Sequence, residues 1–537
     1  MKKKLIACAA LVGLISSTTV FAADGTESRP WIDRYAIYYG ALDATIVEWA
    51  KSYQLVVLHP NNALPTREQV KNIQAGKNPK DPSDDVLVLA YVSVGEDPRT
   101  EGLTSAQMKK DPRFVGDGTG PRVDPRGPHP NGSADLGGID PRGEASPGGT
   151  GFASYYLDDN DNDGLPDRNR NFDVAFVNMG DPAWFELLNR MKLDTDGVAG
   201  FGELLTESYG RGLGFDGVFL DTIDTAAPNS YTDANSWNQS EFEWTAPGYA
   251  DLLDRFRDAY PEAYVMQNRG IFFFDPRLPH YEYNPGQTVD FVVFESYRLD
   301  SGVQEAFNPS FAADNKYNMM PKLMAEAGRP GGFQALSLGY AEGPPNVVRA
   351  ETLRNRSKVG VELLKQDIYE AHQVAGFRHY LTTNDLLLAN SFVSENASLA
   401  DSTPPAWSSV YNDSPVWPPK SVTPRVGIGE AEAVPQGVKV RWDVALDLHR
   451  VKYTLYYQEQ PFDFAKDPNL TKAKRIALAP AVGDGYGTGD AKAYPYEATV
   501  RGLKPGTKYH FVIRAKDSSK AGNEEKNRTW LAVTTLN

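Results

Sequence analysis

The sequence predicts an α/β protein, a (β/α)8 barrel (TIM barrel) with a long insert, followed by a small all-β sandwich. Eight short, β-rich apolar runs recur between residues 35 and 385, and segments with helical apolar spacing separate them. Beyond residue 424 the apolar residues alternate with polar ones instead, which is typical of antiparallel strands. A chain of 537 residues is long enough for both domains.

The first segment, residues 1–22, has the features of a secretory signal peptide. Three lysines precede an apolar stretch, and cleavage is expected before Ala23. Polar residues at 16–19 interrupt the apolar stretch and disfavour a membrane anchor, while a lipoprotein signal ending at Cys8 is the alternative. We expect a secreted or periplasmic protein without a disulfide, because Cys8 is its single cysteine.

Charge narrows the range of partners. The formal net charge is −15, and loss of the signal peptide with its three lysines makes it more negative. Such a charge disfavours nucleic acid and anionic membranes, and it is compatible with a neutral or cationic substrate. We expect no membrane span, and the sequence leaves the oligomeric state open.

The barrel is predicted over residues 28–400 from eight strand-like runs. They are YAIYYG (35–40), LVVLHP (55–60), VLVLAYVSVGE (86–96), GVFLDTID (217–224), YVMQNRG (264–270), VDFVVFESY (289–297), FQALSLGY (333–340) and FRHYLTTND (377–385). A doubly wound open sheet is the alternative, but no GxGxxG follows the first run. In a barrel the active site lies at the C-terminal ends of the strands.

Composition separates the remaining segments. Residues from about 97 to 170 are rich in Pro, Gly and Asp, which predicts an inserted loop with little core of its own; Asp181 and Pro182 then predict a helix start. Residues 401–423 are a Pro/Ser-rich linker, and 424–537 form the sandwich. Trp442, Tyr453 and Tyr509 resemble the fibronectin type III pattern, and we assign no chemistry to this module.

Two carboxylates are the candidate catalytic residues. Alternation places Asp221 on the same face as Phe219, and Glu295 on the same face as Val293, each at the C-terminal end of its strand. Glycoside hydrolysis needs such a pair, one carboxylate to attack or to activate water and one carboxylic acid to protonate the leaving oxygen. For each acid considered alone, the alternative interpretation is a residue without a catalytic role at a solvated strand end or helix cap.

Polar and aromatic residues near the other strand ends fit a sugar site. The candidate substrate-binding residues are Tyr38, Tyr91, Ser93, Glu96, Asp224, Asn268, Tyr297, Tyr340, Asn384 and Asp385. His59 ends the second strand, and we interpret it as a packed residue.

The motifs AYVSVGE, DPAW, GFDGVFLDTID, QNRG and VFES, in this order, resemble the endo-α-1,4-polygalactosaminidase-like glycoside hydrolases. The resemblance covers about residues 30 to 390 without the insert. It implies a (β/α)8 barrel that cleaves α-linked, galactosamine-containing polymers with retention. It also implies that Asp221 is the nucleophile and Glu295 the general acid/base.

An acidic loop inside the insert predicts a structural Ca²⁺ site. Its predicted ligands are Asp159, Asp161, Asp163, the Leu165 carbonyl and Asp167, with Gly164 at the turn. Arg170 replaces the last glutamate of an EF-hand, so the motif is not a complete EF-hand, and a solvated acidic loop is the alternative. No cofactor is expected for catalysis.

The sequence therefore predicts a secreted glycoside hydrolase, endo-acting and retaining. The alternatives are another exopolysaccharide-processing hydrolase, such as a deacetylase, or a non-catalytic carbohydrate-binding surface protein. A deacetylase is disfavoured because the seven histidines include no HxxxH pair.

Overall fold

A computed structural model of the chain describes residues 29–126, 136, 140–159, 161–229, 241–300, 313–341, 358–411, 422–483, 485–486 and 493–537. The predicted signal peptide, residues 1–22, lies outside the described residues. No helix in the described part of the chain is both long enough and apolar enough to span a bilayer.

The eight predicted strands form one parallel sheet in which each strand pairs with the next along the chain. They are β1 (Tyr35–Tyr38), β2 (Leu55–Leu58), β3 (Leu87–Ser93), β4 (Gly217–Asp221), β5 (Tyr264–Asn268), β6 (Phe291–Glu295), β7 (Gln334–Tyr340) and β8 (Arg378–Thr382). The rings of Tyr35 in β1 and Tyr380 in β8 are 6.0 Å apart, so the first and last strands meet. The barrel prediction is confirmed, and the doubly wound alternative is wrong because its strand order would reverse.

Helices cover the outside of the barrel. The longer ones are Ala44–Ala50, Arg67–Gln74, Pro182–Arg190, Ala246–Ala259, Met320–Ala327 and Lys358–Tyr369. Short helices are Pro60–Ala63, Ser105–Met108, Pro112–Val115, Leu193–Asp196, Phe201–Leu205 and Phe392–Asn396. The predicted helix start is confirmed, since Asp181 accepts a hydrogen bond from the Ala183 N–H at 2.8 Å and Pro182 occupies the first turn.

The insert has a core, which corrects the prediction of a loop with little core. Its buried aromatic residues include Phe114, Tyr155 and Tyr156, and the ring of Tyr155 lies 5.3 Å from that of Trp184 on the barrel side. The Tyr156 hydroxyl donates to Asp97 at 2.7 Å. Aromatic residues scattered among glycine and proline have no periodicity, so the sequence pattern could not indicate this packing.

The C-terminal domain is a sandwich of two antiparallel four-stranded sheets, as predicted. Its strands are β9 (Ile428–Val434), β10 (Gly437–Trp442), β11 (Val451–Gln458), β12 (Lys474–Leu478), β13 (Ala481–Val482), β14 (Tyr496–Arg501), β15 (Lys508–Asp517) and β16 (Leu531–Thr534). The sheet orders are β9-β10-β14-β13 and β12-β11-β15-β16. Trp442 packs between them against Tyr453 and Tyr496. The fibronectin type III assignment stays a prediction.

Part of the predicted linker belongs to the sandwich domain. Ala406–Trp407 pairs with Ala445–Leu446, and the ring of Trp407 lies 6.0 Å from that of Tyr453. Ser409–Tyr411 pairs with Val422–Pro424. The residues between these last two strands, 412–421, lie outside the described residues.

The sandwich packs on the end of the barrel where the strands begin. Tyr496 donates a hydrogen bond to the Ala325 carbonyl at 2.9 Å, and the Arg329 guanidinium, which precedes β7, lies 5.6 Å from the centre of the Tyr496 ring. The backbone of Asp447 lies so close to Gly376, just before β8, that a Cβ at Gly376 would lie 2.4 Å from the Asp447 carbonyl oxygen. Buried residues of both domains form one continuous core.

We predict that Tyr496→Ala lowers the free energy of unfolding by about 3 kcal/mol, because it removes a fully buried ring from this shared core. Tyr496→Phe, which loses only the hydroxyl, should cost about 1 kcal/mol. Urea unfolding followed by tryptophan fluorescence measures both. The exposed Tyr369→Ala is the matched control, and equal effects of Tyr496→Ala and Tyr369→Ala would contradict the prediction.

Candidate active site

The carboxylates predicted from strand alternation lie at the C-terminal ends of the barrel strands, here called the mouth. Asp221 is the last residue of β4 and Glu295 the last residue of β6. Both side chains are partly buried. The strand between them, β5, ends at Asn268, so three polar side chains stand side by side at one rim.

Asn268 joins the two carboxylates. Its Nδ2 donates to Asp221 Oδ1 at 2.8 Å and to Glu295 Oε2 at 2.6 Å. The two carboxylate oxygens are therefore no farther apart than these two distances added together. Because Asn268 is buried, this bridge lies out of bulk water, where a hydrogen bond to a charged group is strong.

Glu295 is held on its other oxygen as well. The Tyr340 hydroxyl, from the end of β7, donates to Oε1. Burial and the nearby charge of Asp221 raise the pKa of Glu295, while its hydrogen bonds from Tyr340 and Asn268 oppose the rise. Glu295 is thus the carboxyl group of the pair that tends to keep a proton.

The backbone around Asp221 is fixed by a small hydrogen-bond cluster. Thr222 has a left-handed backbone (φ 64°), and its hydroxyl lies 3.0 Å from the Ser93 hydroxyl and accepts from the Gly95 N–H at 2.8 Å. A Cβ at Gly95 would lie 2.1 Å from the Thr222 carbonyl oxygen, which is why this position of AYVSVGE requires glycine. Ser93 also donates to the Glu96 carbonyl at 2.8 Å, so its hydroxyl connects the backbone of Glu96 to the side chain of Thr222.

A third carboxylate, Glu96, is buried beside the pair. It accepts a hydrogen bond from Nδ2 of Asn169 at 2.8 Å, a residue of the insert that the sequence did not predict. Burial, with smaller contributions from Asp221 and Asp224, raises the pKa of Glu96 to about 7. The insert therefore contributes directly to the mouth. The connection is a short three-stranded sheet, in which the central strand Val174–Phe176 pairs with Glu96–Asp97 on one side and with Arg168–Asn169 on the other.

Aromatic rings line one side of the mouth. Tyr91 stacks on His59 with ring centres 4.4 Å apart, and Tyr39 packs edge-on against both rings. Burial raises the pKa values of Tyr39 and Tyr91, and the negative charge of Asp221 raises them further. Both phenols therefore stay neutral. His59 is a packed residue, as interpreted from the sequence, and burial lowers its pKa to about 4.

One cation stands at the rim. Arg269 follows β5 with a left-handed backbone (φ 52°) and pairs with Asp224 at 2.9 Å. Both side chains are about half exposed, so they are accessible to a ligand. Arg269 was missed by the sequence analysis, although it follows the strand end directly.

Two predicted binding residues point elsewhere, and these predictions are wrong. Tyr38 lies on the outer face of β1 against Trp49, at 5.7 Å, because alternation turns Tyr35 and Tyr39 inward instead. Tyr297 is buried between Phe294 and Phe377 in the core. Asn384 and Asp385 are exposed in the turn after β8, at the mouth end of the barrel.

The predicted metal loop has a different set of neighbouring carboxylates. Asp158, Asp161 and Asp163 come together, whereas Asp159 points away and accepts from the Trp244 indole N–H at 2.8 Å. Asp167 accepts from the Asp159 backbone N–H at 2.8 Å, and Leu165 donates its N–H to Asp163 at 2.8 Å. The prediction of Asp159 and Asp167 as members of this cluster is therefore corrected.

A second constellation resembles a hydrolytic triad in its contacts alone. The Ser337 hydroxyl lies 2.8 Å from Nδ1 of His379, whose Nε2 lies 2.9 Å from Asp367. All three are buried, with exposures of 0% for Ser337, 4% for His379 and 0% for Asp367, so no substrate reaches them. They tie β7 and β8 to helix Lys358–Tyr369.

No family model matches the chain. No curated protein matches it either. Among solved structures, the chain is similar to the glycoside hydrolase domain of PelA from Pseudomonas aeruginosa, with 16% identity, a TM-score of 0.39, and coverage of 67% of this chain and 97% of that one. Amy13B of Eubacterium rectale follows at 9% identity and a TM-score of 0.30, covering 58% of each chain. These similarities are too weak to assign a function, which must come from the site.

We predict that Glu96→Gln stabilises the protein at pH 8 but not at pH 4. The folded state keeps the Glu96 proton up to a pKa of about 7, against an ordinary value of 4.5, so wild-type stability falls as the pH rises through this window. The variant does not undergo that loss of stability, which is about 3 kcal/mol.

Thermal unfolding of wild type and Glu96→Gln across this pH range is the measurement. The exposed Glu101→Gln serves as the matched control. An equal shift at pH 4 and pH 8 would show that Glu96 titrates normally.

Proposed function

We propose that this protein is a glycoside hydrolase that cleaves a polysaccharide with retention, using Asp221 and Glu295. The observation that carries the proposal is the single Asn268 amide nitrogen that contacts both carboxylates. It limits their nearest oxygens to about 5.4 Å, and retaining enzymes place their carboxyl groups roughly 5 to 5.5 Å apart, whereas inverting enzymes need more room for a water.

The roles of the two groups follow from their surroundings. Asp221 attacks the anomeric carbon while Glu295 gives its proton to the leaving glycosidic oxygen; the C–O bond breaks and a glycosyl ester forms on Asp221. Glu295, now ionised, takes a proton from water, whose oxygen attacks the same carbon and releases the sugar and the Asp221 carboxylate. The raised pKa of Glu295 supports the acid role in the first step.

The substrate class rests on charge and on the motif resemblance. Asp221, Glu295, Glu96 and Asp224 face the mouth with Arg269 as the cation paired to Asp224. We propose an α-linked, galactosamine-containing polymer, cleaved internally by a secreted enzyme, since the Asp221 carboxylate at the mouth and the formal net charge of −15 attract free amines. Aromatic rings such as Tyr91 offer the stacking surface that a sugar needs.

We predict that Asp221→Asn and Glu295→Gln each lower kcat by three orders of magnitude or more on the cleaved polymer, because each removes a group that bonds to or protonates the substrate. Chromatography of the products from purified galactosaminoglycan, and from a panel of neutral glycans, measures this. Exposed Asp254→Asn is the matched control and should retain full activity.

Three results would contradict the proposal. One is near-normal turnover by either folded variant, and another is the absence of products from every glycan while binding persists, which favours the non-catalytic alternative. The third concerns retention: NMR of the first product should show the anomer of the substrate, and the opposite anomer would reject Asp221 as a nucleophile.

We further predict faster cleavage of partially deacetylated galactosaminoglycan than of the fully N-acetylated polymer. The advantage in kcat/KM should shrink as added salt screens the long-range attraction of the mouth for free amines. Measurement of both polymers at low and high ionic strength tests this. Equal kcat/KM values at every salt concentration would leave the acidic charge as a surface property only.

A further inference from the structure

The acidic loop of the insert brings three carboxylates together away from the carboxylates of the mouth. One oxygen each of Asp158, Asp161 and Asp163 lies within 4.8 Å of the other two. Asp161 and Asp163 are exposed, whereas Asp158 is fully buried. None of the three forms an ion pair with a described residue, so their negative charges face one another uncompensated within the described part of the chain.

Asp158 supplies a second, independent observation. Its Oδ2 is occupied, since it accepts from the Ser146 hydroxyl and from the Gly164 N–H at 2.8 Å. Its Oδ1 is buried and has no hydrogen-bond partner among the described residues. A buried carboxylate oxygen without a partner is costly, and folded proteins satisfy such an oxygen with a donor or a cation.

The spacing suits a large, hard cation. Calcium binds carboxylate and carbonyl oxygens at roughly 2.3 to 2.6 Å, so two oxygens on one ion are at most about 5 Å apart. Magnesium requires shorter bonds in a strict octahedron and keeps several of its waters. The loop turns at Gly164, which has a left-handed backbone (φ 84°), and this turn brings the Gly164 N–H to Asp158.

We propose that Asp158, Asp161 and Asp163 bind one Ca²⁺ ion, with backbone carbonyls and water completing its coordination. The ion fixes the loop from which the chain passes, through Asp167, into the short strand Arg168–Asn169. This site differs from the loop motif read from the sequence, because Asp158 replaces Asp159 as the buried ligand.

Calorimetric titration of the full secreted chain with CaCl₂, after treatment with EGTA, tests the proposal. We expect one binding event per chain, a higher melting temperature with Ca²⁺, and affinity for Mg²⁺ at least tenfold weaker. The double variant Asp161→Asn/Asp163→Asn changes exposed side chains only, and it should weaken Ca²⁺ binding at least 100-fold. Exposed Asp254→Asn should bind as wild type does.

Asp158→Asn tests the buried ligand and should also abolish the event, with circular dichroism as the check that it folds. No heat and no change of melting temperature in wild type would overturn the proposal. Unchanged Ca²⁺ affinity in the folded double variant would overturn it too. Equal affinity for Mg²⁺ would reject the assignment to calcium.

Discussion

Two carboxyl groups, those of Asp221 and Glu295, are held next to each other at the mouth by one amide nitrogen, Nδ2 of Asn268. Its position follows from the strand order, because β5 lies between the strands that carry Asp221 and Glu295. The remaining contacts act on this arrangement from both sides: Tyr340 fixes Glu295, and Thr222 with Gly95 fixes the backbone at Asp221. The chemistry proposed for the site depends on this bridge, since the distance between the carboxylates selects the route of hydrolysis.

The site is destabilising by itself, and the rest of the fold compensates. Burial raises the pKa values of Glu295 and Glu96, which means that ionising either group in the folded protein costs free energy. The insert donates a hydrogen bond from Asn169 to Glu96 and carries its own buried ion pair, Asp97 with Arg99, at 2.6 Å. The polar residues of the rim stand at the ends of a closed ring of strands, and the close packing of the apolar side chains of these strands fixes their positions.

Strand alternation predicted the barrel and the placement of Asp221 and Glu295, because buried parallel strands leave a strong apolar pattern and β4 and β6 each end in a carboxylate. The same rule applies at Tyr38, which lies on the outer face because Tyr35 and Tyr39 face inward; the choice of Tyr38 considered only that it lies near the strand end. Asn169 was beyond sequence reasoning, since its contact with Glu96 joins residues 73 positions apart through an irregular insert. Asp158 was not predicted as a ligand for a related reason: an irregular loop has no fixed periodicity, so the spacing alone selected its neighbour Asp159.

The sandwich adjoins the beginnings of the barrel strands, at the opposite end from the mouth. Arg450 donates to the Arg29 carbonyl at 3.1 Å, before β1, and Tyr496 contacts the helix that leads toward β7. Since the two domains share one continuous core, we expect them to keep a fixed relative orientation. A molecule or surface that binds the sandwich therefore also sets the direction in which the mouth of the barrel faces.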